Sequence, residues 1–272
     1  MRIAVLVKEV PDTNKQQELS LETGLLKRRD SESGANMVLD EISERAVEAA
    51  LRLREHDADS PAGEITIEVI SMAPEAALTS IRRALSMGAD EAVHIRDDKL
   101  LGADLTLTAE VLAAALRQRD YDLIITGTHS SDGASGALPA MLAEHLDVVL
   151  LSHLTSLSLE PSESGIATIT ASRSTTHAVQ SLKASCPAVV SISEVFPDPR
   201  FPNFKAIMAG KKKPVTTFTL EELGVDAEDF SRPRAIMTAV QQAPAREAGT
   251  KINDEGDAAE KIVEYLERNK LI

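Results

Sequence analysis

The chain has 272 residues and a formal net charge of -14, with 43% hydrophobic, 26% charged and only 3% aromatic residues. This is the composition of a globular protein with an aliphatic core, and its acidic balance argues against nucleic acid or an anionic membrane surface as a partner. The single cysteine, Cys186, excludes an internal disulfide or a cysteine-built metal cage, and the six histidines show no ligand spacing.

Ile3–Val7 reads as a first, buried strand; with Lys8 and Glu9 following at once, it is too short for a signal peptide or a membrane span. The expectation is a cytoplasmic protein. A polar connection then runs from Pro11 to about Gly34, long enough to suggest function. Residues 38–54 carry Ile42, Ala46, Ala49 and Leu53 at helical spacing, with Glu and Arg elsewhere. Glu64–Ser71 is a second strand, and Met72-Ala-Pro74 leads into a helix ending near Gly88. Ala92–Ile95 is a third strand, and Leu105–Leu116 a helix with Asp104 as its cap. Leu123–Thr126 is a fourth strand, broken by Gly127, and an apolar helical pattern opens at about Ala137.

Between that strand and helix lie Thr128, His129, Ser130, Ser131, Asp132, Gly133, Ala134, Ser135 and Gly136. Strand, small-residue loop and helix is the arrangement by which α/β proteins hold a phosphate: glycine lets the backbone approach, and hydroxyls and helix N-terminal N–H groups meet the anion. The spacing matches neither the Walker pattern nor the dinucleotide fingerprint, and an ordinary βα turn is the plain alternative. Four strand-then-helix units predict a doubly wound, mostly parallel sheet. If its order is 3-2-1-4-5, the first and fourth strands are neighbours where the winding reverses, and the Lys8 and Gly127 loops face each other across the crevice where such sheets bind ligands.

Beyond Val148 the pattern changes to short β-rich runs at 148–151, 156–159, 166–171, 178–183 and 188–193, with a hairpin turn at 161–165. They predict antiparallel edge strands. From Phe196 onward, Pro197, Pro199 and Pro202 space out an extended loop, a helical turn is expected at 221–225, and Ala258–Asn269 is an amphipathic helix. This divides the chain into a domain over 1–195 and an extended C-terminal arm over 196–272 that wraps a partner. Cys186, before Pro187, reads as a buried, inert thiol.

Several stretches together resemble the β subunit of electron transfer flavoproteins: Val7–Asp12, Leu39–Glu41 with Glu44–Leu51, Ala84–Asp90, the Gly127–Gly136 loop, Pro187–Val190, Pro199–Phe201 through Ile207–Lys213, Leu223–Val225 and Ala248-Gly249. They span nearly the whole chain in order. The resemblance implies an adenine nucleotide alpha hydrolase-like fold and a heterodimer with an α subunit. Such a protein carries electrons and has no bond-making chemistry of its own. It implies acceptance of electrons from acyl-CoA and other dehydrogenases of fatty acid β-oxidation and delivery to a membrane quinone oxidoreductase. It also implies FAD held mostly by the α subunit and a structural AMP in the β subunit. Carried over by motif, the AMP contacts are Leu6, Asp40, Glu41, Ile42, Ser43, Met72 and Thr128 to Gly136, with backbone groups serving at Leu6 and Met72.

The same resemblance places Phe204, with Lys205, Ile207 and Met208, in a segment that docks on dehydrogenases; a core residue under a loop is the alternative for Phe204. Lys205 and Ala206 stand where a proline–asparagine pair is commoner, Ser174–Ala178 departs from the family's turn, and the nucleotide loop is short. Rival readings are a bifurcating type with a second FAD in place of AMP and a stand-alone adenine-nucleotide sensor. An ATP pyrophosphatase would carry its Ser-Gly-rich loop after the first strand, where Lys8-Glu9-Val10 stands instead.

Overall fold

The computed structural model describes the chain apart from residues 16, 29–36, 57–64, 161–166, 246–248 and 250. The hairpin turn expected at 161–165, the strand residues Glu64 and Ile166, Ala248 and the far end of the 11–34 connection lie outside the described residues. The elements are β1 (Arg2–Leu6), β2 (Glu9–Pro11), β3 (Met37–Leu39), α1 (Glu41–His56), β4 (Thr66–Met72), α2 (Leu78–Met87), β5 (Glu91–Ile95), α3 (Leu105–Leu116), β6 (Leu123–Gly127) and α4 (Leu138–Leu146). There follow β7 (Val149–Leu154), β8 (Ser156–Glu160), β9 (Thr168–Ser174), β10 (Val179–Ser185), β11 (Ala188–Ile192), α5 (Phe204–Gly210), β12 (Val215–Phe218), α6 (Leu220–Leu223) and α7 (Ala258–Arg268).

Seven strands form one sheet in the order β12-β5-β4-β1-β6-β11-β7, with every neighbouring pair parallel. Its strands are aliphatic on both faces because both faces are covered. In β1, Ile3 and Val5 join the apolar layer formed with α1 and α2, while Ala4 and Leu6 join the layer formed with α3, α4 and α6. The two-residue period of the strand thus feeds two cores. The winding reverses at β1, between β4 and β6, as the strand–helix alternation predicts. Asp104 caps α3, its carboxylate accepting from the Leu107 N–H at 2.8 Å.

Three expectations need correction. The antiparallel strands do not edge the main sheet: β7 and β12 are its edges and both are parallel. β8, β9 and β10 build a separate three-stranded antiparallel sheet, whose Leu157, Leu159, Ile169, Ala171 and Leu182 pack into the α1–α2 layer. Alternating apolar residues mark a half-solvated strand without saying which sheet it joins. β11, buried at all five residues, inserts between β6 and β7. Second, α1 starts at Glu41, not at 38, because Val38 and Leu39 pair with Val10 and Glu9 in the β2–β3 ribbon.

The third concerns the stretch after 195. It is not an extended loop: α5, β12 and α6 belong to the compact unit, which runs from Met1 to Thr238. β12 pairs along β5 from Val215–Ala92 to Phe218–Ile95. Residues 239–272 are a second unit, in which α7 presents Ile262, Val263 and Tyr265 without burying any residue.

Candidate functional site

Because β4, β1 and β6 are adjacent and parallel, their C-terminal ends bring Leu6, Met72 and Thr128 to one rim. Three loops meet there. The β2–β3 ribbon closes on Lys8, whose carbonyl accepts from the Asp40 N–H at 2.9 Å and whose N–H donates to Ser43 Oγ at 3.2 Å. This delivers the first turn of α1 to the end of β6. Gly127 is required at that crossing: a Cβ there would stand 2.7 Å from Ile42 Cγ2. Thr128 is buried and its N–H donates to Ile192 O at 3.0 Å, which fixes where the loop departs.

The loop is then tied across the crevice by charge. Asp132, its side chain 3% exposed, accepts from Lys8 Nζ at 2.7 Å through one oxygen and from Arg28 Nη2 through the other. Lys8 Nζ also reaches Ser130 Oγ at 3.2 Å, and Arg28 Nη1 donates to Glu9 O at 3.2 Å. Burial opposes ionisation of Asp132, but the bonds from Lys8 and Ser130, with Lys8's charge and the Arg28 contact, hold its carboxyl well below the usual carboxylate range. Asp40 is buried and pushed upward by desolvation, offset in part by the Ser131 and Ile42 N–H groups; Ser131 N–H lies 3.0 Å from Asp40 Oδ2.

Of the nucleotide-contact residues expected from the sequence, the rim therefore gathers Leu6, Asp40, Ile42, Ser43, Met72 and the whole of Thr128–Gly136. His129, Ser131, Gly133, Ala134, Ser135 and Gly136 are exposed, while Ile42 and Ser43 are buried. Glu41 is different: its carboxylate accepts from Arg45 at 3.1 Å, outside the cluster. Gly133 keeps an ordinary backbone, with 3.5 Å from its would-be Cβ to Ser130 Oγ; the left-handed positions in the loop are Ala134 and Gly136. Arg28 was missed by the sequence reading. It lies 104 residues from Asp132, in a polar connection with no periodicity to mark it. Lys8 could be found as the basic residue that follows the switch-point strand.

Asp132→Ala is expected to lower stability by about 1–3 kcal/mol. That is less than for a fully buried pair, since Lys8 and Arg28 are 43% and 37% exposed and can rehydrate. Because the folded-state pKa is depressed from the ordinary 3.8, this stability is present above that value and is lost only as pH falls through the lower, folded one. Thermal melts should therefore separate wild type from variant throughout pH 5–8 by a constant margin; curves that converge as pH drops from 8 to 5 would contradict the assignment.

The second group of predicted residues lies on α5. Asn203 caps this helix by accepting from the Ala206 N–H at 2.9 Å. Phe204 opens it, 78% exposed, with Lys205 exposed and Ile207 and Met208 partly so. Phe204 is thus a surface residue on a short helix rather than on an extended arm. Seven residues behind three prolines are too few for helical periodicity to show.

Among the described residues, no group of three or more His, Cys, Asp or Glu is placed to hold a metal, and no helix is long and apolar enough to cross a membrane. The family model described as electron transfer flavoprotein domain matches residues 31–223, which makes the parallel sheet and its crevice a domain of that class. The electron transfer flavoprotein β subunit of Mycobacterium tuberculosis is 44% identical over 274 residues, 99% of each chain. That of Bacillus subtilis is 30% identical over 267 residues, 98% of this chain and 96% of the relative. The caffeyl-CoA reductase–Etf complex subunit CarD of Acetobacterium woodii is 27% identical, covering 84% of this chain and 82% of that one. The chain belongs to the electron transfer flavoprotein β-subunit family, and is an electron carrier rather than a catalytic enzyme.

Proposed function

We propose that the chain pairs with an electron transfer flavoprotein α subunit and carries electrons from acyl-CoA and other dehydrogenases to a membrane quinone oxidoreductase in the cytoplasm. The FAD, held mostly by the α subunit, supplies the redox chemistry. This chain holds an AMP structurally and docks the donor through Phe204, Lys205, Ile207 and Met208, with residues 239–272 wrapping the α subunit.

The observation that carries the nucleotide reading is the crevice at the winding reversal. Gly127 passes α1 with no room for a side chain, the Thr128–Gly136 loop offers backbone N–H groups and hydroxyls, and Lys8 and Arg28 outweigh Asp132 to leave the mouth positive. Those groups suit a phosphate, and the buried Asp40 and Ser43 stiffen the wall behind them. Denaturing the purified heterodimer should release one FAD and one AMP. Two FADs without AMP would place the chain in the bifurcating type, and absence of any adenine nucleotide beyond the FAD would remove the site.

A further inference from the structure

One face of α1 carries Glu41, Arg45, Glu48, Arg52 and Glu55, an alternating-sign series at spacings of four and three. Such a series ordinarily faces water, yet Glu48 is 3% exposed. What covers it is the segment leading into α5. Arg200 donates to Glu48 three times: from its backbone N–H at 3.1 Å, from Nε at 2.8 Å and from Nη2 at 3.1 Å. The same guanidinium reaches Glu55, with Nη2 to Oε2 at 2.9 Å, and Arg52 Nε closes the other side of Glu48 at 2.9 Å. One turn earlier, Arg45 donates to the Phe196 carbonyl and pairs with Asp198 at 2.8 Å. Next to Arg200, the Phe201 ring lies under Arg83 at 5.7 Å, and Arg83 is held by Glu44 of α1 at 2.9 Å.

This is a clamp on a segment that is otherwise exposed: Val195 and Phe201 are 68% and 85% accessible. A bidentate guanidinium between two carboxylates fixes direction as well as distance. Phe204 follows four residues later.

We propose that Arg200 and its carboxylate partners Glu48 and Glu55 are positioning residues for docking: they hold the segment before α5 against α1 so that Phe204 is presented in one orientation, without touching the partner themselves. The inference rests on the docking reading of Phe204. It also makes α1 a shared part, its first turn walling the nucleotide crevice and its middle turns setting the docking surface.

The test is a double-mutant cycle on the FAD-loaded heterodimer, with an acyl-CoA dehydrogenase reduced by its acyl-CoA as electron donor. Arg200→Gln should raise the KM for the flavoprotein about tenfold at unchanged kcat and FAD content. Arg200→Lys should recover part of the loss. Glu55→Gln, which leaves the buried Glu48 pair intact, should give a smaller rise with a native melting temperature. In a Phe204→Ala background Arg200→Gln should change KM by less than about twofold, because the group it positions is gone. Effects that multiply in the double variant would mean that Arg200 acts on the partner independently, and would overturn the proposal. So would a lowered melting temperature in Arg200→Gln with native KM. If Phe204→Ala itself docks natively, the docking reading falls and this inference with it; if Phe204→Ala is impaired while Arg200→Gln and Glu55→Gln both dock natively, the inference alone falls.

Discussion

Phe204→Ala is expected to weaken docking on the proposed dehydrogenase donor about thirty-fold, or about 2 kcal/mol. The ring is 78% exposed on a capped helix, so its removal should change folding stability by no more than about 0.5 kcal/mol. An aromatic anchor that fills a partner pocket loses its contact area on truncation, and the loss falls in kcat/KM for the electron-donating dehydrogenase. FAD content and melting temperature should match wild type. Native kcat/KM in the variant would remove Phe204 from the docking surface.

Gly210→Val should have the largest effect on stability. Gly210 ends α5 against the last turn of α2, where a Cβ would meet Ser86 Oγ and stand 2.8 Å from the Ser86 Cα and N. These backbone atoms belong to a packed helix and cannot swing aside. The Gly210 carbonyl also accepts from Arg82 at 3.1 Å, so the crossing is held from both sides. Overpacking of this kind costs about 3 kcal/mol, equivalent to a melting temperature lower by about 6–12 °C. Helices antiparallel to the strands place the end of α2 at the opposite edge of the sheet from the nucleotide crevice. The variant should therefore keep its released AMP while losing both melting temperature and docking. Loss of AMP with docking intact would show that the two regions are not arranged as described.

The sequence by itself determined the parallel core and the crevice. The aliphatic runs of β1, β4, β5 and β6 and the helices between them follow local period, and the alternation of strand and helix dictates a winding reversal beside β1. The cap at Asp104 and the break at Gly127 are local chemistry too, and so were legible. Tertiary structure alone decided that β11 inserts inside β7, that β8–β10 leave the main sheet, and that the Pro-spaced stretch returns to add β12 and α5. It alone paired Arg28 with Asp132 and laid Arg200 on a charged face of α1 that reads as solvent-exposed. The reason is one of range. Periodicity reports which face of an element is apolar, whereas the choice of partner strand and the pairing of charges 104 or 152 residues apart depend on loop closures and burial that no local window contains.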